Sequence, residues 1–302
     1  MATTDAVDVA ADLQHENLRP AGRGAGKGKA PARIGFYVLL VLLSLVFILP
    51  LLWMLVTSFK TRQDATSQPL GWIPSPFTSE AYQPLASTTS ETPVVLWFLN
   101  SLLSAVINTV LIVVTASMAA YALARMDFPG KKLLFGLIVG TIFIPSFVLL
   151  IPNFLIVSDL GWLDSIWAIA IPSAGGAFGV FFLRQIFLAL PREIEEAAWL
   201  DGANQWQIFY KIVLPLVRPG LATLAVLSFL TNWNELIWPV YVLFSPSKFT
   251  LPAGLPILQG AYNVDYPVIM AGAVVASVPV IILFIFAQRH VIASVARSGL
   301  KG

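Results

Sequence analysis

Cysteine and histidine, two residue types much used in covalent, acid–base and metal chemistry, number none and two in this 302-residue chain. There is no cysteine, which excludes disulfides, thiol catalysis and thiolate metal sites. His15 lies in a polar N-terminal tail and His290 just beyond the last apolar segment, so they make no metal pair. No Ser-His or His-Glu arrangement has a spacing usable for a nucleophile with its base or for a metal-assisted hydrolase. Residues 22–29, GRGAGKGK, look at first sight like a phosphate-binding loop. The Gly-x4-Gly-Lys-Ser/Thr spacing is absent, however, and no strand precedes the run. These residues argue against an enzyme and against a nucleotide site on this chain.

Two polar features remain inside an otherwise apolar sequence. The first is the stretch Glu195, Glu196, Ala197, Ala198, Trp199, Leu200, Asp201, Gly202, Ala203. Pro191 suits a helix start, and Glu193, Glu195 and Glu196 then fall where the helix macrodipole favours carboxylates. Asp201-Gly202 reads as a stop, with Gly202 free to take the left-handed conformation. Asn204 opens a second short helix over residues 205–213, which Pro215 is expected to end. Ala197, Ala198 and Gly202 would let a partner approach the backbone, while Trp206 and Phe209 would pack the second helix onto the ends of neighbouring spans. The plainer alternative is an amphipathic helix resting on lipid headgroups. The second feature is Asn232-Trp233-Asn234-Glu235, inside a segment long enough to lie in lipid. A carboxylate there is a candidate for a solute pathway, or for a hydrogen bond between helices.

The elements that must position these groups are membrane spans. Hydrophobic residues make up 57% of the chain and charged residues 11%, less than half the charge of a typical soluble domain. Apolar segments at residues 34–57, 97–123, 133–157, 165–190, 219–244 and 268–288 predict an all-α polytopic membrane protein with six transmembrane helices. Residues 1–33 form a polar tail without apolar periodicity, residues 191–218 the loop between spans 4 and 5, and residues 289–302 a basic tail. Pro145 and Pro152 predict kinks in span 3, and Pro172, Gly175, Gly176 and Gly179 a packing face or a break in span 4. Asn108 in span 2 either faces a cavity or bonds between helices. Fifteen of the 18 Lys and Arg residues fall on one side of this layout, so the positive-inside rule puts both termini and the 191–218 loop in the cytoplasm. An ion-coupled secondary transporter is the rival class, but internal repeats are not evident and Glu235 is nearly alone among the spans.

The loop also carries a resemblance. Glu196-Ala197-Ala198, three residues, Gly202, nine residues, Ile212, one residue, Leu214-Pro215 resembles the loop of membrane subunits of binding-protein-dependent ABC importers. Phe182-Leu183-Arg184-Gln185, Asn232-Trp233-Asn234-Glu235, Ala119-Ala120-Tyr121-Ala122-Leu123-Ala124-Arg125 and Leu300-Lys301-Gly302 are similar to the maltose-type sugar permeases in particular. The resemblance covers about residues 34–302. It implies a type I importer fold in a bacterial cytoplasmic membrane, importing a di- or oligosaccharide, polyol or related solute. It further implies a second permease subunit, a cytoplasmic ATPase dimer and an extracytoplasmic solute-binding protein as partners, and no nucleic acid. ATP and Mg would sit on the ATPase, and this chain would bind no cofactor. Glu195, Glu196, Ala197, Ala198, Asp201, Gly202 and Ala203 would form the ATPase-docking loop, and the C-terminal tail would reach toward the ATPase. Trp199 departs from the smaller or polar residue expected there.

Overall fold

The computed structural model describes residues 30–86, 92–259 and 264–299, and every regular element among them is helical. Two compact units divide at Leu52 and Trp53. The described part of the first unit belongs to one helix, α1 (Ala30–Thr57), which runs on into the second. Its stretch Ile34–Thr57 has 24 residues, about 36 Å at 1.5 Å per residue, enough for a hydrocarbon core of about 30 Å. Every side chain from Ile34 to Leu52 is exposed in this chain. Most of the polar tail lies outside the described residues.

The second unit is built around α2 (Val94–Arg125), a helix of 32 residues. Its buried face runs through Ser101, Ser104, Ala105, Asn108, Ile112, Ala116, Ala120 and Ala124. That spacing of three and four is one side of a helix, and nearly every member is small. Lipid tails are as apolar as leucine, so helices here associate through close packing and hydrogen bonds, which small residues permit. Against α2 lie α6 (Ala177–Leu188) and α9 (Arg218–Trp233), and α11 (Tyr266–Gly299) packs on α9. Gly179 marks a close approach of α6 to α2 and α9: a Cβ there would lie 3.0 Å from the Ala116 methyl and 3.2 Å from Leu224.

Only three described helices are long and apolar enough to cross a membrane unbroken: Ile34–Thr57, Val94–Arg125 and Tyr266–Gln288. Three bent pairs bring the possible number of spans to six. The segment expected as a continuous third span is α3 (Lys131–Thr141) followed, after a 95° bend, by Ser146–Asp159, whose regular part is α4 (Leu150–Asp159). Pro145 sits at the corner, with no N–H to continue the helix. In the fourth, α5 (Ile166–Ala170) and the turn after it meet α6 at 44°, with left-handed Gly176 between them. The expected break and the expected packing face are both present there, at glycines three residues apart, Gly176 and Gly179.

The segment expected as span 5 is also interrupted: α9 ends at Trp233, and α10 (Ile237–Val242) follows. Side chains close the gap. Asn234 Nδ2 donates to the Leu230 carbonyl at 2.8 Å, and Glu235 Oε1 accepts from the N–H groups of Ile237 and Trp238 at 3.0 and 3.2 Å. Backbone groups away from water must find such partners. On the opposite side of the unit from the 191–218 loop, Asp164 accepts from the backbone of Phe244 and Ser245 at 2.9 and 3.0 Å, tying two loops together. Trp97, an interfacial candidate by its position in the sequence, is instead fully buried and donates to the Pro246 carbonyl at 2.6 Å.

Candidate functional site: a docking loop and a polar cavity

The loop after α6 holds α7 (Glu193–Leu200), whose first turn carries Glu193, Glu195 and Glu196. Pro191 lies outside the helix, and Arg192 takes the N-cap position. At the other end, Gly202 has φ +81°, its N–H donates to the Trp199 carbonyl at 3.0 Å, and Ala203 N–H reaches the Ala198 carbonyl at 3.0 Å. This pair of bonds is the Schellman closure, which needs a left-handed residue where Gly202 stands. Asn204 then caps α8 (Gln205–Gln207) through a reciprocal box: Gln207 N–H to Asn204 Oδ1 at 2.9 Å, and Asn204 N–H to Gln207 Oε1 at 2.8 Å. Pro215 does not end the second helix. A π-helical turn over Ile208–Val213 leads into Leu214–Leu216, and this shift of hydrogen-bond register is compatible with a residue that cannot donate.

One residue per 100° of rotation divides α7 into two faces. Glu196, Ala197, Trp199, Leu200, Asp201 and Gly202 are exposed, Leu200 at 90%. Ala198 is buried and Ala203 half-buried, both against the apolar cluster of α2, α6 and the π turn, so they are not open to a partner as expected. Glu195 turns inward as well. Its Oε1 lies 2.8 Å from Arg125 Nε, in a contact too bent to be a hydrogen bond, and the two side chains are only 15% and 4% exposed. Its Oε2 accepts from the Tyr121 hydroxyl at 3.2 Å, and that hydroxyl accepts from Gln205 Nε2 at 2.8 Å. Phe209 is buried against the Tyr121 ring, as its expected packing role requires, whereas Trp206 is 62% exposed and meets the Phe209 ring edge-to-face.

Away from this loop, α2, α4, α9 and the two broken helices enclose a cavity of about 710 Å³. Asn232 and Glu235 line it, together with Ser104, Asn108, Asn153 and Trp238. Ser104 Oγ lies 3.0 Å from Asn232 Oδ1, and Asn108 Nδ2 donates to the Ala170 carbonyl at 2.8 Å and to Ser173 Oγ at 2.7 Å. Asn108 therefore both borders the cavity and ties two helices. Trp233 does not serve as an aromatic platform. It is 2% exposed, stacked on Phe229, with its indole N–H on the Ala276 carbonyl. Asn234 also lies off the cavity. A period of 3.6 cannot aim four consecutive residues one way, so the polar run splits between cavity and packing. Trp238, six residues beyond the motif start, was missed in the sequence because a tryptophan near a span end reads as an interfacial residue.

A kinked, small-residue bundle with a pinned polar helix at one end matches a known family over residues 112–297, the "Binding-protein-dependent transport system inner membrane component". The chain belongs to this family. Similar proteins include the arabinooligosaccharides transport system permease protein of Halalkalibacterium halodurans, 36% identical over 260 residues, covering 86% of this chain and 93% of the relative. The diacetylchitobiose uptake system permease protein of Streptomyces coelicolor is 32% identical over 269 residues, covering 88% of each chain. Among solved structures, a bacterial ABC transporter involved in import of the acidic polysaccharide alginate superimposes with a TM-score of 0.72 at 26% identity, covering 87% of this chain and 97% of the other. As a member of the family, this permease is an inner-membrane component of an ABC importer, and the secondary-transporter alternative falls away.

Proposed function

We propose that this permease imports a saccharide delivered by an extracytoplasmic binding protein, paired with a second permease subunit and driven by a separate cytoplasmic ATPase dimer that carries the ATP and Mg. Both termini and the α7 loop face the cytoplasm in this reading, as the 15-to-3 division of Lys and Arg supports. The observation that carries it is the outer face of α7. Trp199 and Leu200, 60% and 90% exposed, stand on a short helix flanked by Glu196 and Asp201. Apolar groups held in water on a helix fixed from behind are suited to a groove on another protein. The cavity supports a saccharide, because its polar lining is mainly amides and hydroxyls, with one carboxylate, Glu235, among the described residues. Relatives named for arabinooligosaccharides, diacetylchitobiose and lactose point the same way.

The test is affinity purification of the tagged chain from its native membrane in mild detergent. An ATPase and a second permease should co-purify, and vesicles holding the complex should hydrolyse ATP faster when binding protein loaded with a saccharide is added. Recovery of this chain alone after gentle crosslinking would overturn the reading.

A further inference from the structure

The α7 loop is fixed to the bundle through one short stretch of α2. Tyr121 and Arg125 are four residues apart, so they stand on one side of that helix, one turn apart. Arg125 reaches Glu195 on α7, and its Nη2 also donates to the Leu190 carbonyl at 2.8 Å, just before the loop. Tyr121 reaches both arms of the loop at once, Glu195 before the Gly202 turn and Gln205 after it. The turn at Gly202 is thus bridged from behind by a single hydroxyl. Arg184 on α6 closes the group, donating to the Leu123 carbonyl at 3.2 Å.

We infer that the Tyr121–Arg125–Glu195–Gln205 cluster is the joint that converts movement of the docking helix into movement of α2, which makes these four positioning residues of the transport cycle. The inference rests on the importer reading above. Arg125 and Glu195 are almost wholly out of water, where separating the pair would strand a buried charge, so α7 and α2 move together rather than slide. From Tyr121, α2 runs without interruption to Asn108 and Ser104 in the cavity wall, roughly 26 Å by helical rise. One unbroken helix therefore has the ATPase-facing loop at one end and the solute cavity at the other. α3 ends at a 95° bend and α9 meets the loop across a 78° bend, so both are poorer levers.

The chain has no native cysteine, which permits a direct test. A reporter, Thr231→Cys, is placed in the cavity wall of the complete importer, purified through this chain and held in lipid nanodiscs. A membrane-impermeant maleimide then reads cavity access on this chain with and without ATP and vanadate, and ATP hydrolysis is measured on the same sample. Glu195→Gln keeps an oxygen toward Arg125, turns an amide NH2 toward the Tyr121 hydroxyl and removes the charge. It should leave hydrolysis within about twofold of the unaltered complex while reducing the ATP-dependent change in labelling about tenfold, as losing a coupling free energy of ordinary size would. The reversed pair, Arg125→Glu with Glu195→Arg, should restore part of that change. An ATP-dependent change that survives Glu195→Gln would overturn the inference. So would a loss of hydrolysis in step with the labelling change, since the cluster would then only hold the docking helix up. If Glu195→Gln does not assemble, Tyr121→Phe, which removes one hydroxyl, decides on the same two readings. Failure of the unaltered complex to hydrolyse ATP would count against the importer reading instead.

Discussion

Two carboxylates pin two ends of this permease, and they do it differently. At the α7 loop, Glu195 faces a guanidinium, with Arg125 Nε 2.8 Å away and both side chains largely out of water. At the opposite loops, Asp164 accepts from two backbone N–H groups and from the Ser245 hydroxyl at 2.5 Å, while Lys248 Nζ stands off at 3.6 Å and is half exposed. The first junction is held by charge across two separate helices, and the second mainly by hydrogen bonds between two loops. Charge pairing tolerates small changes of angle while resisting separation, which suits a part that moves. Hydrogen bonds weaken steeply as their angle falls below about 120°, which suits a part that does not.

The largest effect should come from breaking the first junction bluntly. Arg125→Ala leaves the Glu195 carboxylate buried and unpaired, a change that typically costs about 3–5 kcal/mol. The purified complex should lose assembly or melt well below the unaltered one, and an unchanged Tm would show that the ion pair holds nothing. Next is Gly202→Val. At φ +81° a β-branched residue is strained by about 1–3 kcal/mol, although no neighbour lies within 4 Å of the added Cβ. ATP hydrolysis should uncouple from uptake, or the ATPase should fail to bind, and normal uptake would sink the docking-turn assignment.

Asp164→Asn sharpens the contrast from the other end. It removes a charged acceptor from three hydrogen bonds and should cost about 1–3 kcal/mol, without changing the ratio of uptake to ATP hydrolysed. Its pH dependence is specific. Burial by itself would raise the Asp164 pKa, but the Ser245 hydroxyl, the backbone N–H groups of Ser245 and Phe244 and then Lys248 outweigh it and hold the pKa at about 2, against an ordinary 3.8. A pKa lowered by folding contributes stability that is whole above about 3.8 and is lost as pH falls through about 2. Protection of the Phe244 and Ser245 amides from hydrogen exchange should follow that window in the unaltered chain, and not in Asp164→Asn. The smallest effect on the fold should be that of Trp199→Ala, within about 0.5 kcal/mol because the ring is exposed. It should still weaken retention of the ATPase measurably, and retention equal to that of the unaltered chain would remove Trp199 from the docking face.

Much of this was legible before any coordinates. The Schellman turn at Gly202 and the capping box at Asn204 follow from local backbone chemistry, in which one residue type has few competitors. The six apolar segments follow from length and composition, because a bilayer imposes both. Family membership follows from the spacing of Glu196, Gly202 and Leu214-Pro215, as the match over residues 112–297 bears out.

What the tertiary structure alone decided is the direction of side chains and the continuity of helices. Glu195 and Glu196 are neighbours in sequence, yet one is buried on Arg125 and the other faces water. Trp233 and Glu235 share one motif, yet one is packed in the bundle and the other lines the cavity. Spans 3 and 5 are interrupted where proline, asparagine and glutamate satisfy or remove the backbone groups that a continuous helix would have paired, and apolar composition does not reveal which alternative is chosen. Composition and local capping are properties of short stretches of chain, so the sequence determined them by itself. Which face of a helix is covered depends on partners far away in the chain, and only packing in three dimensions settles that.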